Sequence, residues 1–355
     1  MPRHARHFQC EISKGYLIPL NPEMGIRMAD GEEIVIDVRG LVRKYQSNSG
    51  ILHQKKKVTV AVDHIDLQVR RGELFGLLGP NGAGKTTTIK VLTTLLLPTE
   101  GSVSILGYDV VKQSMEVRKR IGLILGGERG LYYRITARQN LRYFADIYGV
   151  PLSIRDKRIE EVLEKVNLLD KADTRVEDYS RGMKQRLHIA KGIIHDPELI
   201  FMDELTIGLD PEAARDAREM TKDLIGEGKT ILLTTHYMYE ADELCDRIGV
   251  IARGKIVALD TPRGLKSLVK DTSVIEVEGF GITDKDQESL KALDGVRTVT
   301  ANMCEDKQTL RVQVRDPVAV LPRVTHLLED RKVIGMKVKE PTLEDAYLWL
   351  VREDA

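Results

Sequence analysis

Cysteine is scarce: Cys10, Cys245 and Cys304 stand far apart in 355 residues, with no CxxC pair and no clustered histidine. That excludes a disulfide framework and a zinc site and fits a reducing cytoplasm. Charge of one sign is also lacking. Lys+Arg and Asp+Glu each number 54, so no net field draws the chain to nucleic acid or to an anionic membrane. Long hydrophobic runs are missing too. The longest, such as VLTTLLLP (91–98), fall well short of the roughly 20 apolar residues of a membrane span. The opening MPRHARHFQCEISKGYLIPL is basic but has neither a long apolar stretch nor a cleavage site, so it is not read as a secretion signal. Residues 1–33 are expected to form a disordered extension, with Met24 and Met28 as alternative starts. A chain of this kind reaches a membrane only by recruitment.

What is present is an ordinary globular composition, 42% apolar and 30% charged, long enough for two or three domains. From residue 34, short β-branched runs alternate with helical patterns. EIVIDVRGL (33–41), IDLQVRRGELFGLLG (65–79) and GSVSILGYDV (101–110) read as strands, and TTTIKVLTTLL (86–96) as a helix. LIFMDEL (199–205) and TILLTTH (230–236) are apolar enough for strands buried on both faces, and RIGVIARGKIVALD (247–260) predicts a hairpin turning at Arg253-Gly254. The expected core is therefore α/β with a mainly parallel sheet over 34–268. Amphipathic stretches between about 115 and 200 suggest an inserted helical subdomain. After about residue 269 the order becomes strand, helix, strand, strand, helix, strand, which predicts a small ferredoxin-like α+β domain over 269–355, closed by the helix TLEDAYLWLV.

GPNGAGKTT (79–87) satisfies G-x-x-x-x-G-K-[ST] between a strand and a helix. In such a loop the backbone of Gly79, Pro80, Asn81, Gly82, Ala83 and Gly84 wraps phosphate oxygens, and a helix dipole adds to the pull. Lys85 reaches the β- and γ-phosphates, the Thr86 hydroxyl ligates Mg²⁺, and Thr87 extends the cradle. The apolar run LIFMDE then ends in two carboxylates. Asp203 is placed to hold Mg²⁺ through water and Glu204 to orient an attacking water. His236 follows a second buried strand at the same sheet edge, within reach of a γ-phosphate. Tyr45 admits two readings, as a stacking surface for adenine or as a core aromatic.

In their order, these motifs with YSRGMKQR (179–186), GLD (208–210) and TTH (234–236) resemble the ATP-binding subunit of ABC transporters, over roughly residues 34–268. The resemblance implies ATP and Mg²⁺ as ligands and two subunits facing head to tail, a homodimer in the simplest case. Ser180, Gly182, Met183 and Asp210 of one subunit would contact the nucleotide held by the other's P-loop, with Glu204 and His236 as catalytic groups. Two departures stand out. Gly126 occupies the position of the family's glutamine, where either nearby Glu128 or backbone and water takes its place. Leu205 replaces the proline of the usual DEPT.

The tail PTLEDAYLWL and the phrase THYMYEADELCDRIGVIARGKIVALDTP (235–262) are similar to ATPases paired with export permeases. That implies a peripheral subunit at the cytoplasmic face of the membrane, a separate integral-membrane permease docking near Leu131–Thr136 with Tyr132 and Tyr133 in its groove, and no nucleic-acid partner. The rival readings are a soluble ABC-family ATPase and an ATP-binding regulatory module without a transport role. A single P-loop weighs against the first, and Glu204 against the second.

Overall fold

Strand stretches apolar on both faces become the centre of the molecule. The computed structural model describes residues 33–49, 55–126, 130–269, 273–304 and 307–353; the expected extension through residue 32 and Glu128 lie outside the described residues. In chain order the first half comprises β1 (Ile34–Ser49), β2 (Lys55–Arg70), β3 (Leu74–Leu78), α1 (Lys85–Leu92), β4 (Glu100–Ile105), β5 (Tyr108–Asp109), α2 (Ser114–Arg118), β6 (Ile121–Leu125), α3 (Ala137–Ile147), α4 (Leu152–Lys165) and α5 (Arg181–Ile193). There follow β7 (Leu199–Asp203), α6 (Pro211–Gly226), β8 (Thr230–Thr235), α7 (Met238–Leu244), β9 (Arg247–Ala252), β10 (Lys255–Asp260) and α8 (Pro262–Leu268).

Six strands in the order β10-β9-β3-β8-β7-β6 form the central sheet, parallel except for the β9–β10 hairpin. That hairpin turns at Arg253 and Gly254, both with positive φ (49° and 84°), as the sequence predicts. The two faces of the sheet are read off its alternation. Leu74 and Leu78 of β3 enter one core cluster with helices α3 to α7, while Phe75 and Leu77 enter another with α1.

Two strand readings are corrected. The stretch 65–79 is two strands, broken by a turn in which Gly72 has φ 73°. The stretch 101–110 is also two, broken at Leu106 and Gly107 (φ 51° and 81°). Moreover β1, β2, β4 and β5 form their own antiparallel sheet, ordered β2-β1-β4-β5, which covers the α1 side of the core.

The last part comprises β11 (Ser273–Phe280), α9 (Asp284–Lys291), β12 (Val296–Cys304), β13 (Lys307–Val314), α10 (Pro317–Leu327), β14 (Lys332–Lys339) and α11 (Leu343–Glu353). Its sheet runs β12-β13-β11-β14, antiparallel throughout and built on its own apolar cluster, as a split βαβ unit requires. α11 leaves that cluster. Leu343, Tyr347 and Leu350 are buried with Ala241, Leu244 and Leu265, so the closing helix packs on α7 and α8 of the ATPase core. Among the described residues no helix is long and apolar enough to cross a membrane.

Candidate nucleotide-binding and hydrolysis site

Parallel register assembles the site. Leu78 lies beside Thr235 and Asp203 beside Thr234, so the loop after β3, the end of β7 and the end of β8 meet at one edge of the sheet. The loop from Gly79 to Gly84 leads into α1, and Gly82 and Gly84 take φ of 83° and 112°, which side chains rarely adopt. Space matters as much as φ. A Cβ on Gly79 would sit 2.3 Å from the Ile251 carbonyl, and one on Gly84 would sit 2.5 Å from that of Ala61. The loop backbone is thereby packed directly against Ile251 of β9 and Ala61 of β2.

Lys85 is 4% exposed and donates to the carbonyls of Gly79 (2.7 Å) and Pro80 (3.2 Å). Its Nζ lies 3.6 Å from Glu204 Oε1. Burial pulls its ammonium below the ordinary lysine range, while the charges of Glu204 and Asp203 oppose that pull. A cation kept dry and near two carboxylates is primed to exchange them for phosphate oxygens.

Thr86 Oγ1 stands 3.5 Å from Asp203 Oδ1, and the Thr234 hydroxyl donates to the same oxygen. A hydroxyl and a carboxylate so placed fit a small hard cation that takes its remaining ligands from phosphate and water, the habit of Mg²⁺. Glu204 carries φ 51°, and its Oε1 lies 3.2 Å from His236 Nδ1. Leu205 is fully buried, and a proline there would disfavour this left-handed backbone at Glu204. Thr87 sits partly buried in the first turn of α1, where Thr88 turns its hydroxyl back to the Gly84 carbonyl.

Gly126 is packed tight rather than left open. Its N–H donates to the Asp203 carbonyl at 2.8 Å, and a Cβ would stand 2.1 Å from the Glu204 carbonyl. No side chain fits there without moving the Glu204 backbone. Tyr45 lies on β1 opposite Thr59 of β2, two residues from the Ala61 carbonyl that abuts Gly84. Its ring is 39% exposed, with the Arg43 guanidinium 4.9 Å from its centroid, so it is a surface aromatic near the loop rather than a core one.

Ser180 caps α5, accepting from the Met183 N–H at 3.2 Å. Asp210 caps α6 in the same way, accepting from Ala213 at 2.9 Å, with Pro211 in the first turn. The two caps are neighbours: a Cβ on buried Gly182 would meet Ala213 Cβ at 3.0 Å. Two helix N-termini are thus stacked, with Ser180 and Asp210 exposed.

The segment Leu131–Thr136 is braced from within. Buried Asn140 accepts from the Tyr132 N–H and donates to the carbonyls of Tyr132 and Thr136, and Thr136 forms a capping box with Gln139. Tyr132 is exposed and packs edge-on to Tyr143, whereas Tyr133 is partly buried beneath the Lys184 ammonium. Sequence reasoning missed Thr234 as a partner of Asp203, because that contact depends on strand register and leaves no local pattern.

The site is that of a P-loop ATPase with acidic, histidine and serine-capped elements in ABC order. The family model described as ABC transporter matches residues 62–207. The linearmycin resistance ATP-binding protein LnrL of Bacillus subtilis is 35% identical over 81% of this chain and 92% of its own. The daunorubicin resistance ATP-binding protein DrrA3 of Streptomyces coeruleorubidus is 37% identical over 83% and 92%. The Nod factor export ATP-binding protein I of Cupriavidus pinatubonensis is 37% identical over 82% and 86%. A solved ATP-binding subunit of an ABC transporter aligns with TM-score 0.56 and 29% identity over 66% of this chain and 92% of that one. This chain belongs to the ATP-binding subunits of ABC transporters. It is an ATPase of the exporter type, its hydrolysis coupled to transport.

Proposed function

We propose that two copies of this chain clamp two ATP molecules between them and drive export through a separate integral-membrane permease. The observation that carries this reading is the stacked pair of exposed caps, Ser180 on α5 and Asp210 on α6, in a chain that already owns a complete P-loop. Exposed helix N-termini apart from the chain's own P-loop offer amides that a neighbour's nucleotide would meet. A bacterial ABC transporter cassette solved as a dimer, with TM-score 0.56 and 25% identity, supports the pairing.

In this mechanism the amides of Gly82 to Thr87 and the Lys85 ammonium hold the triphosphate, and Tyr45 stacks on the base. Thr86 and Asp203 would hold Mg²⁺, which would supply positive charge opposite the phosphate oxygens. Glu204 accepts a hydrogen bond from the attacking water, while His236 fixes the Glu204 carboxylate and reaches the γ-phosphate. Ser180, Gly182 and Met183 of the second copy complete the far side, and its Asp210 steadies the junction. The division of labour follows the predicted domains: 34–268 hydrolyses ATP, the helices within about 115–200 transmit motion, and 269–355 is an accessory α+β unit. The permease docks at Leu131–Thr136. A push there reaches the Ser180 helix through Tyr133 and Lys184. The chain works peripherally at the cytoplasmic face of the membrane. The daunorubicin-resistance and Nod-factor-export names of its relatives favour a cargo of one of those kinds.

Sedimentation of Glu204→Gln with ATP and Mg²⁺ tests the reading. The variant should run as a dimer with ATP and as a monomer without. Monomers at saturating ATP, in the presence of the permease, would contradict it.

A further inference from the structure

Glu240 lies on α7 four residues after His236 and is 2% exposed. Among the described residues neither carboxyl oxygen makes a hydrogen bond of full geometry, although the Thr235 and Thr206 hydroxyls stand close enough to act on it. Its surroundings are nonetheless not apolar. The hydroxyls of Thr206 and Thr235 face it, with the Arg218 guanidinium of α6 and the His236 ring further off. Thr206 follows Glu204 by two residues, and Thr235 immediately precedes His236. Both threonines are buried, at 8% and 1% exposure. The carboxyl of Glu240 is thus set between the two segments that carry the groups acting on the attacking water.

A buried acid whose hydrogen bonds are not fully formed is costly, and a leucine of similar size would fill the space without that cost. Burial pushes the Glu240 carboxyl above the usual carboxylate range, which favours the protonated form, one donor and one acceptor. The Thr235 hydroxyl oxygen accepts from the Tyr237 N–H at 3.0 Å, leaving its proton free to point at Glu240. A small inward movement of either segment would complete a Thr206–Glu240–Thr235 bridge.

We propose that Glu240 is a positioning residue for hydrolysis: through Thr206 and Thr235 it locks the Glu204 segment to the His236 segment when the site closes on ATP. It touches neither substrate nor water. This rests on the ATPase reading of the same site. The bridge gives the position a reason to be acidic, and it puts the strained Glu204 backbone (φ 51°) under the control of α7. Because α11 packs on α7, the accessory unit has a mechanical route to the same lock.

The test is steady-state ATP hydrolysis by the full chain carrying Glu240→Leu, Glu240→Gln, Thr206→Val or Thr235→Val, with binding of a fluorescent ATP analogue and melting measured alongside. Wild-type turnover, abolished by Glu204→Gln, first establishes that the site hydrolyses ATP; its failure would refute the ATPase reading. Given that turnover, Glu240→Leu should lower kcat about 10- to 100-fold with KM for ATP within about twofold, and Gln should restore most of it. Thr206→Val combined with Thr235→Val should lose kcat similarly, and adding Glu240→Leu should cost little more. If Glu240→Leu does not fold, Gln and the threonine pair carry the test. An unchanged kcat, an additive triple variant, or a loss that follows KM or melting temperature would overturn the proposal.

Discussion

Installing the family's glutamine at Gly126 should damage this enzyme. A Cβ at that position meets the Glu204 carbonyl at 2.1 Å and Ile207 Cγ2 at 3.0 Å. Ordinary contact begins near 3.4 Å, so the end of β6 and the loop after β7 must part by roughly 1 Å. They are tied there by the bond from Gly126 N–H to the Asp203 carbonyl, 2.8 Å long. Overpacking of this kind costs about 1–3 kcal/mol, which lowers the melting temperature by roughly 2–12 °C in a domain of this size. The larger effect falls on chemistry. Displacing the group that orients a nucleophile by about 1 Å costs about 10²-fold in rate. Gly126→Gln and Gly126→Ala should therefore lose about 10- to 100-fold in kcat, with KM for ATP nearly unchanged, since Lys85 and the P-loop are not touched. Coupled-enzyme ATPase assays with parallel thermal melts measure both. A Gly126→Gln enzyme as fast as wild type would refute the packing argument and return the position to an ordinary glutamine loop.

Other outcomes follow from the same geometry. Lys85→Ala should abolish ATP binding at micromolar nucleotide, read by fluorescent-analogue titration, while leaving the fold intact. Ser180→Arg should remove turnover but not binding to the P-loop; loss of binding instead would place Ser180 in the fold rather than at a partner's nucleotide. Asp286 is held at about 2, below the usual 3.8, chiefly by its hydrogen bonds to the Arg331 guanidinium. Its depressed folded value means that the stabilisation is fully present above the unfolded pKa and is lost as pH falls toward the folded one. The melting difference between wild type and Asp286→Asn should therefore narrow on acidification from about pH 5 to about pH 3.

Local chemistry was legible in the sequence, and long-range register was not. The P-loop, the Arg253-Gly254 hairpin and the βαββαβ order of the C-terminal part each depend on residues close in sequence, and each is found where expected. The antiparallel sheet was invisible because β4 pairs with β1 some 60 residues earlier, and nothing in either strand names its partner. The same holds at the site. Asp203 and Glu204 announce themselves at the end of an apolar run, but the Thr234 hydroxyl on Asp203 follows from β7–β8 register. Gly126 looked like a missing glutamine, yet its smallness is demanded by a backbone brought against it. Glu240 belongs to no local motif that names a role for it, and only its burial beside Thr206 and Thr235 marks it out. α11 was grouped with the accessory unit by sequence proximity, and its leucines and tyrosine pack instead with α7 and α8.

The central claim is that each ATP is shared by two chains, and mixing two dead variants tests it most directly. Lys85→Ala and Ser180→Arg are each expected to be inactive alone. In a mixed dimer, one of the two sites pairs the sound P-loop of one chain with the sound Ser180 of the other. Random pairing then predicts recovery of about a quarter of wild-type ATPase activity on mixing equal amounts. Activity that stays at the sum of the two separate proteins would mean that each chain works on its own nucleotide.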